Sequence, residues 1–167
     1  MTLLSIIELL AEVGCLCLLI WIAVRDFRTL KVSNHSNLLL LAVYCVWLAS
    51  RGFEAVETDL LVAVLFFGVA LVMWLVKMMG AGDVKLYFVL ALFIGIDGAA
   101  PYVLILLAIS LVAFLFLKFW GGGESTERQG AWVARVTEFK KSGKLPYAVI
   151  MVASALGPIC IRFFWQT

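Results

Sequence analysis

Two aspartates carry the chemistry this chain could perform. Asp83 closes the run Gly80-Ala81-Gly82-Asp83 between one strongly hydrophobic stretch and the next, and Asp26 follows the first hydrophobic stretch in Val24-Arg25-Asp26-Phe27-Arg28. A carboxylate at a membrane boundary is costly to keep and is by default a functional candidate. Two carboxylates held together do not both ionise readily, so they share a proton: one acts as general base on a water while the other protonates a carbonyl or a leaving amine. That is the logic of aspartyl proteolysis. A membrane edge suits it, because water reaches the rim while a lipid-embedded helix end is presented as substrate. Gly80 and Gly82 remove side chains around Asp83 and let backbone and substrate approach closely. Each acid also has a plainer reading: Asp26 as a solvated member of the charge cluster Arg25, Arg28 and Lys31, and Asp83 as the N-cap of the helix that follows a tight turn.

The elements that must position these acids follow from composition. With 65% hydrophobic residues, 14% charged residues and a mean hydropathy of +1.10, the chain has more apolar surface than it can hide in itself. The expected fold is all-α, a polytopic integral membrane protein with about six transmembrane helices, since roughly 20 apolar residues span a bilayer core. The spans fall at about 3–24, 37–50, 59–79, 84–97, 100–119 and 145–165, the second and fourth being short. The whole chain, 1–167, reads as a single transmembrane domain with cytoplasmic loops at about 25–36, 78–84 and 120–144.

A cleaved signal peptide is the competing reading of the N-terminus. Residues 1–10 carry no Lys or Arg, and Glu8 and Glu12 interrupt the apolar run, so the segment reads as a retained first helix. Cys15, Cys17, Cys45 and Cys160 all fall inside expected spans and form no CxxC pair, which argues against a zinc site or a disulfide framework. No metal and no cofactor is expected.

Basic residues collect in short cytoplasmic loops. With the N-terminus outside and six passes, eleven Lys and Arg fall on one side and only Arg51 and Arg162 on the other. Both termini are then extracytoplasmic. Asp26 and Asp83, separated by two crossings, lie at the same cytoplasmic face. Asp59 and Asp97 lie at the opposite face and read as loop or cap residues.

Supporting residues rank below the two acids. Lys85 stabilises negative charge near the site or snorkels to headgroups. His35, the single histidine, reads as a loop residue rather than a base. Glu8 and Glu12 share one face of the first helix, in its outer half, and point to a helix contact or polar crevice. Within 120–144, Gly121-Gly122-Gly123 opens a flexible link, and Trp132, Val136 and Phe139 at helical spacing suggest a short amphipathic helix on the inner membrane surface. No phosphate-binding loop is present, and no nucleic acid partner is expected.

The residues also carry a resemblance. Gly80-Ala81-Gly82-Asp83-Val84-Lys85-Leu86 resembles the GxGD signature of the type IV prepilin peptidases and archaeal preflagellin peptidases. Asp26 through Asn34 resembles the family's first aspartate motif, an Asp followed by basic residues and an Ile-Pro-Asn-like turn, with Ser33 where the family commonly has Pro. Leu145-Pro146-Tyr147-Ala148 resembles the entry to the family's last helix. The resemblance implies an aspartic endopeptidase with Asp26 and Asp83 as its catalytic pair and Gly80, Gly82 and Lys85 in support. Its implied substrates are membrane-inserted precursors of pilins or pseudopilins, whose short polar leader ends in Gly before a hydrophobic helix. The paired CxxC motifs of the bifunctional members are not seen, so the chain looks like the short, peptidase-only branch typified by Flp or Tad pilus systems, in a bacterial inner membrane. No methyltransferase activity is implied.

Two other classes fit less well. A small transporter or proton-coupled protein would place its ionisable groups near the midplane and commonly shows paired halves. A silent pilus or secretion assembly subunit has no need for both acids.

Overall fold

In the computed structural model the described residues are 3–119 and 146–165. They form helices α1 (Leu3–Thr29), α2 (Asn34–Ser50), α3 (Val56–Leu75), α4 (Ala81–Phe119) and α5 (Tyr147–Trp165), with no strand among them. The amphipathic helix expected within 120–144 lies outside the described residues.

Helix is what such segments must form in lipid, where every backbone N–H and C=O has to pair inside its own segment. The outward surface is apolar, as at Leu65, Val72, Leu104, Leu107 and Val112. Apolar surface alone therefore does not separate inside from outside. The core is marked instead by bulky aromatic residues and a few polar ones: Trp47, Phe93, Tyr102 and Phe163 are buried, and so are Glu12, Asp26, Asn37, Asp59 and Arg162. α1 packs on α2 and α5, and α4 packs on α2, α3 and α5.

Four of the described helices are long and apolar enough to cross a membrane: Leu3–Thr29, Val56–Leu75, Ala81–Phe116 and Tyr147–Phe164. The sequence suggests about six. α2 has only 17 residues, and the fourth and fifth expected spans run together as α4.

α4 is nevertheless broken. Gly95 has φ 64 and ψ −175, a non-helical conformation inside the 39-residue helix. The chain turns back there, as Tyr87 and Tyr102 prove: their ring centroids lie 5.9 Å apart, whereas fifteen residues of straight helix would separate them by about 22 Å at 1.5 Å per residue. Phe66 of α3 touches both rings, at 5.3 Å from Tyr87 and 5.7 Å from Tyr102. Asp83 therefore starts a short arm, 81–94, and Lys118 ends the returning arm, 96–119.

The break frees carbonyls that a continuous helix would pair, and Arg162 of α5 takes them. Its Nη1 donates to Leu92 O at 2.9 Å and Phe93 O at 3.2 Å, and its Nη2 donates to both Asp59 oxygens at 2.8 Å. Tyr44 completes the cluster, donating to Asp59 at 2.7 Å. Arg162 and Arg51 lie over the same Trp47 ring, at 5.0 and 5.1 Å. The two cations set apart by the charge count thus share one end of the bundle. Asp59, read from sequence as a loop or cap residue, is instead a buried ion-pair partner at 1% exposure.

Candidate active site

The end of the bundle opposite Arg162 gathers the last turn of α1 and the first turns of α2, α4 and α5. Asp26 sits in the last turn of α1 and is 3% exposed, while Arg25 and Arg28 beside it are exposed. It is therefore distinct from the solvated charge cluster around it. Its Oδ2 accepts a hydrogen bond from the Ala148 backbone N–H at 3.1 Å. Ala148 is the second residue of α5, and the first N–H groups of a helix have no partner within it. An acidic side chain placed there satisfies one of them and meets the positive end of the helix dipole.

The first loop is shorter than its expected 25–36. α1 continues to Thr29, and Leu30, left-handed at φ 52, closes it by donating to Asp26 O at 2.7 Å. Ser33 then caps α2: its backbone is extended and its Oγ accepts from Ser36 N at 3.2 Å. A hydroxyl cap can start a helix without the rigid turn that Pro would impose. Arg25 donates to the same Ser33 Oγ at 3.3 Å, tying the end of α1 to the start of α2.

Asp83 lies inside α4, which begins at Ala81 rather than after an expected 78–84 loop. Gly80 precedes the helix, and Asp83 Oδ2 reaches back to accept from Gly80 N at 3.3 Å. This is the reach-back half of a capping box, so Asp83 holds the cap residue rather than being it. A Cβ on Gly80 would lie 3.0 Å from that same Oδ2. Gly82 serves a different contact: a Cβ there would lie 2.7 Å from the Val32 carbonyl oxygen. Neither glycine has positive φ, so both act through close approach.

Asp83 is half-buried, at the same end of the bundle as Asp26 and within its electrostatic reach. α2 is fastened to the start of α4 by two bonds: Asn37 Nδ2 donates to Gly82 O at 3.1 Å, and exposed Lys85 donates to Asn34 Oδ1 at 2.9 Å. His35 is exposed on the first turn of α2. Glu8 and Glu12 lie toward the opposite end, Glu8 paired with Arg51 at 3.5 Å and Glu12 accepting from Trp47 Nε1 at 3.3 Å. No three His, Cys, Asp or Glu side chains gather as metal ligands among the described residues.

Two participants in the site, and one pair at the opposite end of the bundle, escape the sequence reading. The Ala148 N–H is a backbone group, signalled only by Pro146 ahead of an apolar run. Asn37 carries the signal of an amide one residue before Leu38-Leu39-Leu40-Leu41. The Asp59–Arg162 pair joins residues 103 apart, and no local pattern connects them.

The arrangement offers two carboxylates of different exposure, each held by a backbone donor at a helix start, at a bundle end rich in cations. The model of the type IV leader peptidase family matches residues 13–118, a stretch that contains both acids and ends before α5. No curated protein and no solved structure matches the chain.

Proposed function

The chain belongs to the type IV leader peptidase family, and from that premise we propose that it is a membrane-embedded aspartyl endopeptidase using Asp26 and Asp83. Its substrates in this reading are Flp-type prepilins and pseudopilins, cut after the Gly that ends a short cytoplasmic leader. One carboxylate takes a proton from water as the water oxygen bonds to the scissile carbonyl carbon. The other, protonated, gives its proton to the carbonyl oxygen. The tetrahedral intermediate collapses by breaking the C–N bond, and the leaving nitrogen receives a proton from the pair. No methyl transfer is proposed.

The observation that supports the reading is that Asp26 and Asp83, 57 positions apart, lie at the same end of the bundle and within electrostatic reach of one another. The excess of Lys and Arg on that side supports a cytoplasmic active site, six passes and extracytoplasmic termini in a bacterial inner membrane. The test is coexpression with a pilin precursor encoded in the same genome. Wild type is expected to release the leader, and Asp26→Asn and Asp83→Asn are each expected to lose cleavage by at least about 10²–10⁴-fold at equal membrane abundance. Cleavage that persists without either acid sinks the assignment.

A further inference from the structure

We propose that Asn37 is a positioning residue for Asp83, acting through the Gly82 carbonyl; this rests on the peptidase reading above. Asn37 is 5% exposed in the first turn of α2, and its Nδ2 donates to Gly82 O at 3.1 Å. That bond fixes which way the amide points, because the flipped amide would set oxygen against oxygen. Its Oδ1 is then left buried, with no partner among the described residues.

A buried amide with half its hydrogen-bonding capacity unmet costs more than an apolar residue of the same size, since a lost partner is not replaced by water. α2 continues with four leucines, Leu38 to Leu41, so a fifth would suit the helix. An amide kept at this cost is explained by what its one bond holds. Gly82 immediately precedes Asp83, and Val32 packs against Gly82, where a Cβ would be 2.7 Å from its carbonyl oxygen. The Gly80–Asp83 turn is thus held against both the 30–33 loop and the Asn37 amide. Asp83's own side-chain bond, to Gly80, lies within the same turn. It fixes the carboxylate relative to α4 but not relative to α1, where Asp26 sits. Asn37 supplies the buried link across to α2, beside the exposed Lys85–Asn34 bond, and Arg25 and Ser33 tie α2 to α1.

Stability and catalysis should therefore separate. Asn37→Leu keeps the branched four-atom shape of the side chain and removes the unmet oxygen, so its thermal stability in detergent is expected to equal or exceed that of wild type. Its kcat for a synthetic precursor peptide, a leader ending in Gly joined to the first hydrophobic residues, is expected to fall by roughly 10²-fold, the effect of about 1 Å of misplacement. KM should stay nearly unchanged and the pH profile of kcat should shift, because the two acids no longer couple as before. Asn37→Gln, which keeps the amide donor on a longer arm, should recover part of kcat. Unchanged kcat in stable Asn37→Leu overturns the inference. So does a fall in kcat and stability together that Asn37→Gln does not relieve. Failure of wild type to cut the peptide would instead count against the peptidase reading itself.

Discussion

Asp26 and Asp83 are each held by a backbone N–H at the start of a helix other than α1: Ala148 in α5 and Gly80 ahead of α4. Backbone donors leave side-chain room around the acids, and helix starts favour negative charge by about 0.3–1 kcal/mol each. The price is steric, and it falls on the glycines. Gly82→Ala would bring a Cβ to 2.7 Å from the Val32 carbonyl, and backbone yields only if the 30–33 loop moves. Leader cleavage is expected to drop by roughly 10²-fold, measured with membrane abundance matched to wild type. Lys85 should matter far less. Its bond to Asn34 is exposed, and an exposed hydrogen bond is worth about 0.5–1.5 kcal/mol. Lys85→Met is expected to slow cleavage no more than about tenfold, and a loss as deep as that of Asp83→Asn would show that Lys85 touches the reacting groups.

At the level of elements, the acids were legible in the sequence and the helix ends around them were not. Asp26 and Asp83 stand out because charge is rare in so apolar a chain. The helix ends depend on contacts that no local window contains: Leu30 adopts a left-handed conformation that its type does not suggest, and Ser33 starts α2 through Ser36. The expected fourth and fifth spans, 84–97 and 100–119, put the turn between 97 and 100. It occurs at Gly95 because Arg162, far along the chain, pairs the carbonyls of Leu92 and Phe93. Gly95→Ala tests this account. Its φ of 64 with ψ −175 belongs to a region open essentially to glycine, at a cost of about 1–3 kcal/mol, and the new Cβ would lie 2.6 Å from Arg162 Nη1. Thermal unfolding in detergent is expected to show a large loss of stability. Gly14→Ala in α1, where a Cβ meets nothing within 4 Å, should be neutral or stabilising by about 0.5–1 kcal/mol.

Across the whole molecule the two ends of the bundle are built for opposite purposes. One presents two acids amid exposed cations. The other seals Asp59, Arg162 and Tyr44 against the break in α4. Removing one member of a buried pair costs about 3–5 kcal/mol, mostly because the other charge is left alone. Arg162→Met should therefore destabilise more than Arg162→Met combined with Asp59→Asn, in thermal unfolding of the purified protein. The same polarity gives a topology that labelling can read. In a variant with its four cysteines changed to alanine, single cysteines at Lys31, Glu57, Lys77 and Asp97 sample both ends of α1 through α4, and all four positions are exposed. If both arms of α4 cross the bilayer, a membrane-impermeant maleimide should label the Glu57 and Asp97 positions in intact spheroplasts. The Lys31 and Lys77 positions should react only after lysis. Asp97 decides the matter, because it lies just past Gly95. Labelling of Asp97 from the same side as Lys77 would mean that the 81–94 arm does not cross. The six-pass count would then fail, and with it the argument that lysine and arginine set the two acids at the cytoplasmic face.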